Sequence, residues 1–521
     1  MIKPFYLTLL LFCSAVTHIK VFSVNDMKLQ NTYYVDAVNG KDANNGITPH
    51  TPWKTLKKVN SAVFKPGDKL LFRAGTNYNG QLKVHGSGKA GRPIIIDKYG
   101  EGFKPRIRGQ ARDSSALLLF NVEYWTVRNL DISNYGSTPK PSRYGVWVKL
   151  LNFGTAHSIV LSNLEIHDVN GSLVKKEGGG AGILCSNEGN IPSRFDSLVI
   201  ENCTIKRCHR NGILINGNWE RNNWFPNKKV VIRKNLIEGV PGDGIVPVGC
   251  DSALIEYNVM RDCPRLLPDG EAAAGIWPWS SDNTIIQYNE VSDHKAPWDA
   301  QGFDSDWNCR NTVIQYNYSH DNEGGFLLIC NDGSAGKKSS IGNNGTIVRY
   351  NLSVNDGFRN SGKHAGFSPI IHVAGPVKNT LVYNNVFYIN SKARNVDSAL
   401  IDITDWQGFA DSTVFANNIF YANTAVKYRL SKGTRTIFEN NIYYGRHLDK
   451  PKDSFAIVDD PVFLIKEQIG LPGLKSALNF RISQKSPGRA KGKIMISPVK
   501  DFFGNQVSHG LKPSIGLHQA D

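Results

Sequence analysis

TIIQYNEVSD (284–293), TVIQYNYSHD (312–321) and TIVRYNLSV (346–354) are copies of one short string, apolar residues alternating around an asparagine. Copies continue toward the N-terminus as ALIEYNVMRD (253–262), VVIRKNLIEG (230–239), LVIENCTIKR (198–207), IVLSNLEIHD (159–168) and TVRNLDIS (126–133). Toward the C-terminus they run TLVYNNVFY (380–388), TVFANNIFY (413–421) and TIFENNIYY (436–444). Read in alignment, the asparagines are Asn129, Asn163, Asn202, Asn235, Asn258, Asn289, Asn317, Asn351, Asn385, Asn418 and Asn441, spaced 23 to 39 residues apart. That spacing is solenoidal. Period-two alternation marks strands with one buried face, and a stacked asparagine can bond its amide to the turns above and below. A propeller needs a nearly fixed period, whereas stacked coils tolerate loops of unequal length. The expectation is an all-β chain folded as a parallel β-helix, right-handed because parallel crossovers strongly prefer that hand.

Outside the repeat, residues 1–23 read as a secretory signal: Lys3 precedes the apolar run from Phe5 to Val16, and Val21-Phe22-Ser23 offers a cleavage site. Removing them takes two lysines and no acid, so the net charge falls from +16 to +14. Residues 24–112 are assigned to an N-terminal cap and first coils, 113–445 to the solenoid core, and 446–521 to a C-terminal cap segment. Seven cysteines remain after the signal, an odd number without metal-ligand spacing. They read as small buried hydrophobes. A secreted, monomeric protein is expected, with neither a nucleic acid nor a membrane as partner.

In the N-terminal stretch, Tyr34-Val35-Asp36, Gly40-Lys41-Asp42, Pro52-Trp53-Lys54-Thr55 and Pro66-Gly67-Asp68 resemble the entry segment of secreted, pectate-lyase-like β-helix enzymes of polysaccharide-degrading bacteria. The closing PSIGLHQ (513–519) is similar to their usual tail. The resemblance implies a capped parallel β-helix. It does not choose a reaction, because that fold hosts lyases, hydrolases, esterases and binding proteins.

Each coil carries a second strand opened by glycine: YGVWVKL (144–150), AGILCSN (181–187), NGILING (211–217), DGIVPVG (243–249), AGIWPWS (274–280), QGFDSDWN (301–308) and GGFLLICN (324–331). Counting from the glycine, the second and fourth positions point outward. They read Trp147 and Lys149, Leu184 and Ser186, Leu214 and Asn216, Val246 and Val248, Trp277 and Trp279, Asp304 and Asp306, then Leu327 and Ile329. His372 is a looser match in SPIIHVAG (368–375). Asp304 and Asp306 lie one pleat apart on a single face. Such a pair can share a proton, activate water or hold Ca2+, the one candidate cofactor. Trp277 and Trp279 suit stacking on sugars, and Lys149, His364 and His372 join them as binding candidates. A column on the turn before the glycine holds Glu177, His209, Arg210, Asp243, Glu271, Asp299 and Glu323. From it Asp243, Glu271, Glu323, His209 and Arg210 are taken as catalytic candidates with Asp304 and Asp306. The segment with Arg359, Lys363 and His364 could close over a substrate. Asp168, Asp262, Asp293 and Asp321 recur at one corner and read as turn residues.

Charge favours an acidic glycan as partner. Elimination from a uronate needs a cation to neutralise the substrate carboxylate and a base to take the C5 proton, and His209 with Arg210 suggests both. The leading expectation is thus a lyase or dehydratase acting by β-elimination on an acidic, ulvan-like algal glycan whose sulfation would suit the charge. It would cleave the chain or dehydrate a terminal uronate. Hydrolysis by paired carboxylates is the second reading, and a non-catalytic glycan-binding β-helix the third.

Overall fold

The structure is a computed structural model that describes residues 30–334, 340–390, 399–465, 469–496, 500–508 and 510–519. The expected signal, 1–23, lies outside the described residues. The coils contribute strands to three faces, and these strands pair in parallel with their copies in neighbouring coils. On the first face Arg194–Glu201, Asn227–Arg233, Leu254–Glu256, Ile285–Gln287, Val313–Gln315 and Ile347–Arg349 stack in that order. The second face follows one tight turn later and stacks Leu236–Glu238, Val259–Arg261, Glu290–Ser292, Tyr318–His320 and Leu352–Val354. The third face carries the glycine-opened strands, among them Gly180–Glu188, Asn211–Asn216 and Ile245–Val248. Between the faces runs one apolar core of stacked Ile, Val, Leu and Phe. Its N-terminal end is met by the short helix α1 (Leu56–Asn60), which buries Leu56 and Val59 in that core and is capped by the Thr55 side chain. All seven described cysteines are free and buried, as small hydrophobes would be.

The turn between the first two faces sets the register. Eight asparagines, Asn235 to Asn441 in the series above, lie inside it. Each Nδ2 donates to the Oδ1 of the next, at 2.9 to 3.0 Å throughout. Asn441 ends the row by donating to Asp453 Oδ2 at 2.8 Å. The residue before each ladder asparagine bends the chain at positive φ, from Lys234 and Tyr257 to Asn417 and Asn440. For a tyrosine that conformation costs about 1–2 kcal/mol. Ring stacking offsets part of the cost: Tyr257, Tyr288 and Tyr316 stack at 5.0 and 4.9 Å between centroids.

The alignment of the first three asparagines needs correcting by one residue. Asn129, Asn163 and Asn202 themselves occupy the positive-φ position, which asparagine tolerates better than most residues. The interior ladder position in those coils is filled by Leu130, Leu164 and Cys203, all buried. Cys203 N accordingly donates to Asn235 Oδ1, at 2.9 Å. Asp168, Asp262, Asp293 and Asp321 share the next bend, all near φ +50°, and act there as turn formers. Beyond the last coils the chain runs back outside the solenoid. Tyr316 and Tyr318 donate to the carbonyls of Lys500 and Leu471, and Asn384 donates to those of Ser514 and Gly516.

Replacing Asn317 by Ala leaves the N–H of Asn289 without its acceptor, takes one of three acceptors from Asn289 Nδ2 and removes a donor from the carbonyl of Ile286. At about 1–3 kcal/mol per buried orphan, the loss should be at least of that size. Urea unfolding should show a lower midpoint at unchanged slope. Asn163→Gly, at the exposed bend, should stay within about 0.5 kcal/mol.

Candidate active site

The glycine-opened face forms an outward groove whose columns follow from strand register. One column runs Leu214, Val246, Trp277, Asp304, Leu328, His372 and Asp402; its neighbour runs Asn216, Val248, Trp279, Asp306, Cys330, Ala374 and Thr404. The phase expected for the coil after Asp304 was one residue off. Phe303, which faces the core, pairs with Leu327, so Leu327 and Ile329 point inward while Leu328 and Cys330 line the groove. The cause is the double glycine: Gly325 takes φ +116° and absorbs one residue before the strand begins. In the coil before, Pro278 has no N–H and the ladder shrinks to isolated bridges at Ile276 and Trp279.

Two cavities open on this face and meet at Asp306. The first, about 500 Å3, reaches from Tyr144 past Leu214, Trp277 and Trp279 to Asp306, with Lys175, Arg210 and Asp243 on its wall. The second, about 460 Å3, runs from Asp306 and Asp299 past Leu328 and His372 to Thr404 and Trp406. Trp279 is backed by Trp219 and Trp307, at 5.3 and 5.2 Å between centroids. In the second cavity Trp298 stacks on Phe367 at 5.2 Å and meets the edge of His364 at 4.1 Å.

Four carboxylates crowd the junction in different electrostatic states. Asp299 sits at φ +60°, followed by Ala300 at +62°. Burial and then the charge of Asp306 push its carboxyl up to about 7, against the pull of Arg359. Asp306 is also raised by burial, but hydrogen bonds from the Cys330 thiol (2.9 Å) and the Trp307 N–H and the charge of Lys175 oppose the rise. Asp304 is 2 % exposed and lines neither cavity. Its Oδ1 finds no hydrogen-bond partner among the described residues. Burial and the charges of Asp299, Asp306 and Asp243 hold it protonated, well above the usual carboxylate range. Burial works against the charge of Asp243 too, yet Lys175, Arg210 and the N–H groups of Ala274 and Trp277 keep it below that range.

The remaining candidates scatter. Arg210 is fully buried, 3.2 Å from Asp243 and 3.3 Å from Glu271, and donates to the Ala272 carbonyl. His209 is hydrogen-bonded to the Gly171 carbonyl through Nδ1. Neither is set to neutralise a uronate. Glu271 also accepts from Lys175 N, and Glu323 is paired with Arg265, away from both cavities. Lys149 pairs with Glu188 at 2.6 Å and sits five coils from Asp306, about 24 Å at the strand spacing. His372 lines the second cavity, bonded to Thr404 Oγ1 at 2.9 Å; burial lowers it to about 4, so it stays neutral. Arg359 is buried under Trp298 rather than poised over the groove. Asp299 is the residue that the strand pattern did not select for catalysis. It lies in the turn column, and its only sequence signal was that column. Among the described residues no group of three or more His, Cys, Asp or Glu is arranged to hold a metal ion.

Comparison with known proteins finds similarity in sequence and in fold. The family described as "right handed beta helix region" matches residues 181–365. The fold is a right-handed parallel β-helix. A lacto-N-biosidase of Bifidobacterium longum is 28 % identical over 94 % of this chain, which spans 36 % of that protein's length. The crystal structure of the GH136 lacto-N-biosidase from Eubacterium ramulus superposes with a TM-score of 0.60 and 26 % identity, covering 79 % of this chain and 67 % of that one. XylC with xylose, 13 % identical at a TM-score of 0.50 over 94 % and 98 % of the two chains, shares the fold alone. Lacto-N-biosidases are glycoside hydrolases, which overturns the leading expectation of a lyase or dehydratase. The physical reason is visible in Arg210, whose charge is already consumed by two carboxylates.

Because the Cys330 thiol donates to Asp306, its removal should raise that carboxyl's titration point. Infrared titration of Cys330→Ala should show an upward shift relative to wild type, and Cys330→Ser, with a stronger donor, none or a downward one.

Proposed function

We propose that the chain is a glycoside hydrolase in which Asp299 is the general acid and Asp306 the partner carboxylate. What carries this reading is the junction itself: Asp306, whose hydrogen bonds oppose the rise that burial imposes, lies where two sugar-sized cavities meet, and Asp299, held protonated to about pH 7, lines the second of them beside it. Environments that push paired acids apart assign their roles. Asp299 gives its proton to the glycosidic oxygen as the bond breaks. Asp306 answers the positive charge that develops at the anomeric carbon. The Trp279 cluster in one half and Trp298 with Trp406 in the other offer apolar faces for sugar rings.

The similarity to lacto-N-biosidases supports an oligosaccharide substrate and a reaction of the kind those names describe. An uncharged glycan suits the groove better than an acidic one. Its lining has Asp243, Asp299, Asp306 and Asp405 against Lys175 and Arg210, so the chain's positive excess is carried elsewhere. Export of the mature protein, directed by residues 1–23, is part of the same proposal.

Asp299→Asn and Asp306→Asn should each lower turnover by about 10² or more with the melting temperature kept, as loss of a general acid or base does. Asp304→Asn, behind the junction, should lower it less. New reducing ends should appear with no ultraviolet absorbance from an unsaturated uronate. Turnover needs Asp299 protonated, so it should fall as pH rises through about 7. Full activity in both Asp299→Asn and Asp306→Asn would end this assignment.

A further inference from the structure

Resting on that assignment, we infer that Arg359 is a positioning residue that fixes the backbone and the charge environment of the acid Asp299. Asp299 and Ala300 form a two-residue kink at φ +60° and +62° with no glycine to ease it. Such conformations are strained and persist only where the surroundings over-determine them. Arg359 supplies much of that determination. Arg359 is 2 % exposed. Nη1 donates to the Pro297 carbonyl at 2.8 Å and Nη2 to the carbonyl of Asp299 itself, so one planar fork bridges both sides of Trp298. The guanidinium carbon also lies 5.9 Å from the centre of the Trp298 ring. The fork is held in turn by its own backbone, for Arg359 N donates to the Glu323 carbonyl and the Arg359 carbonyl accepts from Gly366 N. From the other side, Ala300 N donates to the Ala273 carbonyl and Gly324 N to that of Ala300.

The same cation acts on the carboxyl through space. The titratable groups facing Asp299 are Asp306, Arg359, Lys175, Asp243 and the protonated Asp304. Those facing Arg359 are Asp299, Glu323 and Arg265, with His294 and His364 nearby. Burial and two carboxylates, Asp306 and Asp243, raise the Asp299 titration, and Arg359 is the first cation opposing them. Without it the acid would hold its proton too tightly to give it up.

Geometry and charge separate in two variants. Arg359→Lys keeps the cation, but a single ammonium cannot reproduce a planar fork on two carbonyls. Arg359→Met removes both. Titrating the protein with ¹³C-carboxyl aspartate, with Asp299→Asn as the assignment control, reads the acid directly whether or not it turns over a sugar. In Arg359→Met the Asp299 titration should move upward by about one unit or more, as loss of a close opposite charge does. In Arg359→Lys it should stay near its wild-type position. Turnover per folded molecule should fall about tenfold or more in both, since small misplacements of a catalytic group are costly, while KM changes little. The alkaline limb of the pH profile should move up only in Arg359→Met. The inference is overturned if Arg359→Met lowers only the melting temperature, leaving the Asp299 titration and turnover per folded molecule unchanged. Full activity of Asp299→Asn would instead strike the hydrolytic assignment, and the carboxyl titration would still report whether Arg359 holds Asp299.

Discussion

Parallel strands in successive coils sit about 4.8 Å apart, and every coil must keep that spacing on three faces at once. A side chain's position therefore follows from two numbers, its coil and its parity. Inward positions fall into apolar stacks, and outward positions of the third face fall into the two columns of the groove. Adjustments to the phase happen where the backbone permits them. The positive φ of Gly325 absorbs a residue, and Pro278 interrupts the ladder. Both flank the coil of Asp304 and Asp306, so the irregularities of the solenoid collect where its carboxylates do.

Crowding acids on a rigid face creates the electrostatic problem that the site uses. Coil stacking gives Asp299, Asp304, Asp306 and Asp243 little room to separate, and burial withholds water from them. Their charges are resolved individually. Asp243 is neutralised by Lys175 and Arg210, Asp304 keeps its proton, Asp306 is stabilised by donors, and Asp299 is balanced between burial and a guanidinium. Arg210, one of the cations that suggested a polyanion from sequence alone, is spent within this balance.

The repeat was legible because its chemistry is periodic: eight ladder asparagines and their flanking apolar residues recur where a stacked coil needs them. Asn129, Asn163 and Asn202 misled by one place, since asparagine suits both the interior ladder and the left-handed bend beside it. The outward pair Asp304 and Asp306 was readable from parity, and so were Trp277 and Trp279. Asp299 was not separable from its neighbours, for its role comes from a kinked segment held by Arg359, sixty residues further along. Nor could charge counting reveal that Arg210 is enclosed by acids. Those facts depend on which loops meet across coils, which strand periodicity does not encode.

The asparagine row has one more property. Every amide in it points the same way, each N–H toward the next coil, so eight side-chain dipoles add along the solenoid axis. Hydrogen-bonded chains of this kind polarise one another and strengthen cooperatively in a low-dielectric interior. The row thus resembles a helix macrodipole built from side chains, its donor end pointing to the last coils. There Asp453 accepts from both N and Nδ2 of Asn441. A carboxylate in that place is a terminal counter-charge, a cap for a column of aligned amides.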